Sequence, residues 1–143
     1  MDSPLSDRAV GAVLPGLRVT VTQAMIDGYA RASGDFNPIH VDPVFARSSP
    51  FVRTIAHGLM TLAFVARMLS AWTDGAFDGS GEIDIAFVGP VYAGDEVCIG
   101  GTVEEITQRD DVPVLRVRLS CMVGERFILA GQALVAIDQA KEG

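Results

Sequence analysis

The chain has 143 residues, of which 49% are hydrophobic and 20% are charged, as expected for one globular domain with a substantial core. Its formal net charge of −7, with 11 basic residues that do not cluster, argues against nucleic acid as a partner, because affinity for a phosphate backbone comes largely from Lys and Arg. Two cysteines, Cys98 and Cys121, are too few for a disulfide framework and lie in apolar, strand-like surroundings. We expect both to be reduced core residues of a cytoplasmic protein.

Residues 1–15 combine Pro4, Gly11 and Pro15 with polar side chains, which predicts a loose N-terminal arm or an edge segment. This stretch lacks the basic start and long apolar run of a secretory signal, so we expect the protein to stay in the cytoplasm. The longest apolar stretch, residues 59–72, contains polar interruptions and is shorter than the roughly 20 residues that a membrane span requires. We expect a single domain over residues 1–143, without a membrane segment.

Hydrophobic periodicity predicts a strand and then a helix after this arm. Apolar and polar residues alternate over residues 17–21, the pattern of a strand with one buried face. Thr22 is a suitable cap for a helix over residues 23–33, where apolar side chains recur at helical spacing. Gly34 ends this helix, because glycine readily adopts the left-handed conformation.

The segment 33–40, Ser-Gly-Asp-Phe-Asn-Pro-Ile-His, places an acid and one of the two histidines five residues apart. Gly34 stops the helix and Pro38 drives the residue before it into extended or turn geometry, which predicts a bent, non-helical loop. A carboxylate from Asp35 and an imidazole from His40, held near one substrate atom, can share acid and base chemistry around neutral pH. The alternative is an ordinary helix-ending turn with a solvated acid and a packed histidine.

The next residues predict a short helix, a loop and a long apolar helix. Asp42 can cap a short helix that begins at Pro43, and residues 48–53 form an irregular loop. Apolar side chains then surround the predicted helix 59–72 on almost all sides. Such a helix must be wrapped by other structure.

Alternating apolar residues predict antiparallel sheet from Gly81 onward. The predicted strands cover residues 83–87, 96–106, 114–123 and 126–137. A polar loop is predicted at residues 108–112, a hairpin turn at 124–125, and bulges at Gly100, Gly101 and Gly131. The order of elements indicates an α+β domain with a curved antiparallel sheet around the long helix. Because such a sheet leaves an edge strand to be paired or covered, we expect at least a dimer, with the site near a subunit boundary.

Gly58, preceded by His57, stands at the start of the long helix. A first helical residue offers an unpaired backbone N–H together with the positive end of the helix dipole. Without a side chain, Gly58 would let a substrate carbonyl approach this N–H closely, which suggests an oxyanion hole. Close packing at a helix start is the alternative explanation of the glycine.

A metal site made of Asp35, His40, Asp42 and His57 is a rival interpretation of the same polar residues. We expect no metal, because no two histidines have the short spacing of zinc motifs and no cysteine accompanies them. The sequence also lacks a Gly-x-Ser-x-Gly nucleophile motif and a glycine-rich phosphate loop with a lysine.

Three segments, residues 29–42, 55–58 and 90–97, resemble in the same order the MaoC-like family, specifically its (R)-specific enoyl-CoA hydratases. Segment 33–40 matches the hydratase motif of this family in full, and the resemblance covers most of the chain. It implies a hot-dog fold, in which a curved antiparallel sheet wraps a long central helix. It also implies a homodimer or a dimer of dimers as the assembly.

The resemblance further implies reversible addition of water to a trans-2-enoyl-CoA, giving an (R)-3-hydroxyacyl-CoA, without an organic or metal cofactor. In such enzymes the residues that match Asp35 and His40 hold the catalytic water and move its protons. The N–H of the residue that matches Gly58 binds the thioester oxygen. Asn37 and His57 match supporting positions of this site.

The sequence departs from the family at Ala66, where members of this type often carry a serine, which affects acyl preference more than the reaction. No basic cluster for the phosphates of coenzyme A is evident, and Arg47, Arg53, Arg109 and Arg126 are scattered candidates. Three other functions stay open. They are dehydration of 3-hydroxyacyl groups on an acyl carrier protein, a catalytically silent subunit that binds acyl thioesters, and a thioesterase.

Overall fold

The structure, a computed structural model, describes residues 8–137 as five helices and five strands. The helices are α1 (Gln23–Ser33), α2 (Pro38–Val41), α3 (Pro43–Arg47), α4 (Gly58–Trp72) and α5 (Ala76–Ser80). The strands are β1 (Leu17–Thr20), β2 (Glu82–Phe87), β3 (Glu96–Arg109), β4 (Val112–Val123) and β5 (Arg126–Ala136). The domain is therefore α+β, as predicted. Among the residues described, no helix combines the length and apolar character needed to cross a membrane.

One antiparallel sheet contains all five strands in the order β1-β3-β4-β5-β2. The long strands β3, β4 and β5 form its centre, with Val117 opposite both Val103 on β3 and Ala133 on β5. Within the described residues, β1 and β2 each pair with one neighbour and form the two edges of the sheet. The edge strand expected from the sequence is therefore present.

The long helix α4 packs against one face of this sheet. Its buried apolar residues are Met60, Val65, Met68 and Leu69. They join a core with alternating side chains of the central strands, among them Val97, Val103, Leu115, Val117 and Leu119. One side of α4 stays uncovered in the single chain, where Leu59, Ala63 and Arg67 are exposed. A single sheet covers only the helix side that faces it.

The N-terminal segment is an edge segment from Gly11 onward and not a loose arm. Gly11 and Leu14 donate backbone hydrogen bonds to Val103 and Gly101 on β3, and Val13 forms a bridge with Thr102. Residues 1–7 of the predicted arm lie outside the described residues. Leu14 is buried, so this segment contributes to the core.

The turns differ from the predictions in two places. Residues 108 and 109 belong to β3, and the polar loop shrinks to Asp110 and Asp111, both at positive φ (52° and 64°). Aspartate tolerates this conformation, which suits a tight hairpin between twisted strands. The short helix α5, which the sequence pattern did not predict, follows Gly75 at a φ of 88°.

The sheet irregularities lie away from the glycines that were predicted to form bulges. The register shifts fall between Val103 and Glu105 and between Cys121 and Met122. Gly131 instead permits a close approach of β2, because a Cβ at this position would lie 2.2 Å from the Asp84 carbonyl oxygen. The need for glycine at position 131 thus comes from a contact between strands that are distant in sequence.

The two cysteines have different environments. Cys121 is fully buried, as predicted, and this burial raises the pKa of its thiol to about 11. Cys98 is only half-buried, so its prediction as a core residue is wrong. Its neighbours Val97 and Ile99 occupy the core, and the alternation of a strand turns Cys98 to the other face.

Candidate active site

The turn after α1 places the acid. Gly34 ends α1 in the left-handed conformation (φ 79°), and its N–H donates to the Ala30 carbonyl. The backbone N–H of Asp35 then donates to Ser33 Oγ, and Asp35 Oδ1 accepts from the Asn37 N–H. These local hydrogen bonds hold the Asp35 carboxyl group in a defined turn, with its side chain 53% exposed.

His40 lies on the short helix α2, so the prediction that the whole segment 33–40 is non-helical is wrong. Pro38 occupies the first helical position, where its fixed φ suits the helix and its missing N–H is not required. The Asn37 side chain caps this turn by accepting from the Ile39 N–H. Asn37 therefore shapes the loop.

One contact determines the tautomer of His40. Its Nδ1 lies 2.8 Å from the Ile55 carbonyl oxygen and must donate to it, because a carbonyl only accepts. Nε2 is consequently left with a lone pair, 4.0 Å from Asp35 Oδ2. The His40 side chain is only 12% exposed, whereas the carboxylate reaches solvent. The two groups predicted to share proton transfer thus lie side by side.

His57 connects these two residues to the start of α4. Its Nε2 donates to the Asp35 carbonyl oxygen at 2.9 Å, and its ring stacks on the His40 ring at 3.8 Å between centroids and an interplanar angle of 24°. Tyr29 packs on the same ring at 4.8 Å. His57 is buried, and its Nδ1 has no hydrogen-bond partner among the described residues. Asp35 and His40 therefore converge near the beginning of the central helix.

A network around Gln23, which sequence reasoning missed, holds the α2 turn from the other side. Gln23 Nε2 donates to the His40 carbonyl oxygen at 2.9 Å, and its Oε1 accepts from Thr54 Oγ1 at 2.7 Å. In the sequence Gln23 is only the first residue of a helix, and no local pattern marks its partners. Its contacts join α1, α2 and the segment before α4.

Gly58 is the first residue of α4, with His57 as the N-cap. Its N–H therefore has no acceptor within the helix and lies at the positive end of the helix dipole. A mainly apolar cavity of about 460 Å³ adjoins it, lined also by Ile55, Thr61 and Phe87. Ala66 is not part of this lining, and Thr61 is the helix hydroxyl residue that borders the cavity. A larger cavity of about 850 Å³ lies against the sheet and contains none of the predicted site residues.

The structure brings together three of the four residues that were considered as metal ligands. Donor atoms of Asp35, His40 and His57 lie within 4.8 Å of one another. Asp42 is separate, since its carboxylate caps α3 by accepting from Val44 and Phe45. The rings of His40 and His57 also lie nearly parallel, at 24° to one another, whereas zinc ligands are arranged tetrahedrally around one point. The arrangement suits proton transfer better than metal binding.

The amino-acid sequence of this chain is similar to those of known proteins. The family model for the MaoC like domain matches residues 8–123. The chain is 33% identical over 131 residues to a 3-hydroxybutyryl-CoA dehydratase from Methylorubrum extorquens, a match covering 88% of this chain and 79% of that protein. It is 38% identical over 101 residues to a mitochondrial 3-hydroxyacyl-[acyl-carrier-protein] dehydratase from Arabidopsis thaliana, covering 71% and 58% respectively.

A solved structure shares the fold. The structure of an (R)-hydratase from A. caviae aligns with a TM-score of 0.78 and 29% sequence identity, over 91% of this chain and 97% of that one. The architecture is therefore the hot-dog fold, which confirms the expectation from the resemblance. Together, the matched family model, the relatives and the fold show that the chain belongs to the MaoC-like dehydratase family.

Proposed function

We propose that this chain, a hydro-lyase of the MaoC-like family, adds water reversibly to trans-2-enoyl-CoA thioesters to give (R)-3-hydroxyacyl-CoA. The observation that carries the proposal is the pair formed by Asp35 Oδ2 and the free Nε2 of His40, 4.0 Å apart at the start of α4. The names of the relatives support the choice of an acyl thioester, and that of the A. caviae structure supports the (R) product.

The geometry of the pair suits one water molecule. Both Asp35 Oδ2 and His40 Nε2 are acceptors, and two hydrogen bonds of about 2.8 Å can meet at one oxygen across a 4.0 Å gap. A water that donates both protons in this way presents its oxygen lone pairs to the substrate. It attacks C3 while the pair accepts one proton, and the pair returns a proton to C2. Because one cluster serves both carbons, we expect syn addition.

Gly58 completes the proposed site by binding the thioester oxygen. Addition at C3 moves negative charge onto this oxygen, where the backbone N–H at the helix start donates to it. Asn37 and His57 support the site without exchanging protons with the substrate, and the chemistry requires no cofactor besides the coenzyme A carried by the substrate.

Dehydration of 3-hydroxyacyl groups on an acyl carrier protein is the second candidate. The Arabidopsis relative carries this activity in its name. Carrier proteins are acidic, and the net charge of −7 on this chain disfavours such a partner. Equal catalytic efficiency with crotonyl-CoA and with crotonyl carrier protein would favour this candidate. A silent binding subunit predicts no turnover, and a thioesterase predicts release of free thiol.

The proposal is tested by following the loss of crotonyl-CoA absorbance. We expect Asp35→Asn and His40→Ala each to lower kcat at least about a hundredfold, because each removes one member of the proton-transfer pair. Asp42→Asn is the matched control, since it neutralises a nearby carboxylate whose role is to cap α3, and asparagine caps helices equally well. An inert wild-type protein, or variants as active as the wild type, would contradict the proposal.

A further inference from the structure

Two arginines, Arg47 and Arg53, share a small surface cavity of about 230 Å³. The remaining lining of this cavity is neutral and consists of Pro43, Val52, Thr54 and Ala93. Both arginines are exposed, so their guanidinium groups can meet a solvent-borne ligand. No lysine occurs between positions 8 and 137, so every permanently charged cationic side chain in this range is an arginine.

The charges in this cavity are not compensated. Neither Arg47 nor Arg53 forms an ion pair with any of the described residues, whereas five other arginines do. Those five are Arg8, Arg18, Arg116, Arg118 and Arg126. Arg109 shares its own cavity with Asp74 and Asp110. In a chain of net charge −7, a cavity with two guanidinium groups and no carboxylate is a local site for anions.

Aromatic stacking holds Arg53 in place. Its guanidinium carbon lies 4.2 Å from the centre of the Tyr92 ring, and Arg126 lies 5.6 Å from the same ring. Arg126 is neutralised by Asp95 at 3.1 Å and also donates to the Pro90 carbonyl. Arg53 has no ion-pair partner among the residues that the structure describes. Its guanidinium N–H groups are therefore available for an anion.

The backbone before Arg53 is strained. Val52 has a φ of 68°, a conformation that is a genuine outlier for a β-branched side chain. Such strain persists where the surrounding structure fixes it, and it concentrates at binding and catalytic sites. Ser49 Oγ accepts from the backbone N–H groups of Phe51 and Val52 and so stabilises this turn. The turn directs Arg53 toward Tyr92.

The cavity is joined to the candidate active site. Thr54, in its lining, donates to Gln23, which in turn holds the His40 carbonyl. Gly58 lies five positions after Arg53, so their backbones are at most about 18 Å apart. A flexible pantetheine arm, which separates a thioester from its first phosphate, is long enough to cover a distance of this order.

We propose that Arg47 and Arg53 form a phosphate site that binds the carrier of the thioester substrate, an inference that rests on the proposed function. The planar fork of arginine matches phosphate oxygens in pairs, and two such groups in one cavity suit a phosphodiester or a phosphomonoester. This chemistry is shared by coenzyme A and by the phosphopantetheine arm of a carrier protein. The site would hold the non-reacting end of the substrate while Gly58 holds the thioester.

The first test measures binding without catalysis. Calorimetric titration with free coenzyme A compares the wild type with Arg47→Met and Arg53→Met, which keep an aliphatic stem but remove the guanidinium. We expect each variant to bind about tenfold more weakly, since each loses charge-assisted hydrogen bonds to phosphate. Arg109→Met, which removes the same charge beside Asp74 and Asp110, is the control and should bind within about twofold of the wild type.

The second test separates the sources of phosphate. Hydration of crotonyl-CoA, crotonyl-phosphopantetheine and crotonyl-pantetheine is compared for the wild type and Arg53→Met. A rise in KM for the first two substrates assigns the site to the phosphate that both carriers share. A rise for crotonyl-CoA alone assigns it to the nucleotide end. In either case crotonyl-pantetheine, which has no phosphate, should react equally well with both proteins.

Four results overturn the inference. They are coenzyme A affinity unchanged in both arginine variants, an equal loss in the Arg109 control, a matching loss with crotonyl-pantetheine, and undetectable binding of coenzyme A by the wild type. An inert wild type whose coenzyme A binding still depends on Arg47 and Arg53 would refute the hydratase proposal and leave the phosphate site standing.

Discussion

His57 links the two proposed catalytic residues although it has no part in the proton transfer. Its Nε2–H holds the backbone of Asp35, and its ring supports that of His40. The ring is buried, and within residues 8–137 its Nδ1 has no hydrogen-bond partner, so these two contacts are the ones that fix its position. We therefore regard His57 as a positioning residue.

Two variants separate the two contacts of His57. His57→Gln keeps an N–H donor at a similar reach but removes the ring, and His57→Phe keeps the ring but removes the donor. We expect each to lower kcat about tenfold to a hundredfold with little change in KM, because misplaced catalytic groups slow the reaction more than they weaken binding. Steady-state hydration of crotonyl-CoA measures both constants.

Tyr29→Phe is the control for this pair of variants, because it preserves the ring that packs on His57. It should keep wild-type kinetics. Thermal unfolding of all three proteins distinguishes a local displacement from a loss of fold. A His57 variant that folds and retains the wild-type kcat would show that its contact does not position the site.

Helix α4 and strand β2 meet at Gly58, and this contact between elements constrains the proposed oxyanion site. A Cβ at position 58 would lie 3.2 Å from Cε1 of Phe87, at the end of β2. Phe87 is 48% exposed, so its ring can move by the few tenths of an ångström that an alanine requires. Gly58 is therefore not needed for packing alone.

We expect Gly58→Ala to leave the melting temperature unchanged or raise it, since alanine reduces the entropy of the unfolded chain. Catalytic efficiency should fall about a hundredfold, because the methyl group crowds the position where the thioester oxygen meets the N–H. Thermal unfolding and crotonyl-CoA hydration measure the two effects.

Gly28→Ala is the matched control on α1, where the added Cβ would contact only an Arg31 nitrogen at 3.7 Å. It should preserve activity. The double variant Gly58→Ala with Phe87→Ala removes the neighbouring ring. If the double variant regains full activity, displacement of Phe87 and not crowding of the N–H explains the loss.

The sequence predicted most helices and strands correctly. The errors fall on features that depend on contacts between residues distant in sequence. Periodicity and capping residues identify α1 and α4 because these signals are local. The helical turn at Pro38 was missed because proline disfavours helix before it and favours helix after it. Similarly, the motif marks Asp35 and His40, but no side chain in the sequence marks the Ile55 carbonyl that selects the His40 tautomer.

At the scale of the whole molecule, β2 forms a sheet edge that is unpaired within residues 8–137 and lies close to the candidate site. Exposed apolar residues gather at the end of β2, at the start of β5 and in the first turn of α4. They are Phe87, Val88, Phe127 and Leu59. An unpaired edge beside apolar surface favours pairing with a second copy, which supports the dimer expected from the sequence. The exposed side of α4 begins at Leu59, within this same group of apolar residues.

We expect the wild type to have twice the chain mass of 15.2 kDa in solution, and Val88→Glu to raise the dimer dissociation constant at least about tenfold. A carboxylate on this edge would have to be buried without a partner when two copies join. Light scattering across a dilution series gives the mass of each protein.

Val13→Glu is the control for the dimer prediction. Val13 is also an exposed valine, and it bridges to β3 beside the opposite edge of the sheet. It should leave the mass unchanged. A wild type that stays at 15.2 kDa at every concentration, or a Val88 variant that associates like the wild type, would contradict a dimer joined at β2.

The lack of lysine between positions 8 and 137 has a chemical consequence for a protein that handles thioesters. A lysine amine loses its proton readily when its environment changes, and it then becomes a nucleophile that thioesters acylate. A guanidinium group keeps its proton at any physiological pH. Arg47 and Arg53 can therefore face a solution of activated acyl thioesters for many turnovers without being modified, whereas a deprotonated lysine in their place would be open to acylation.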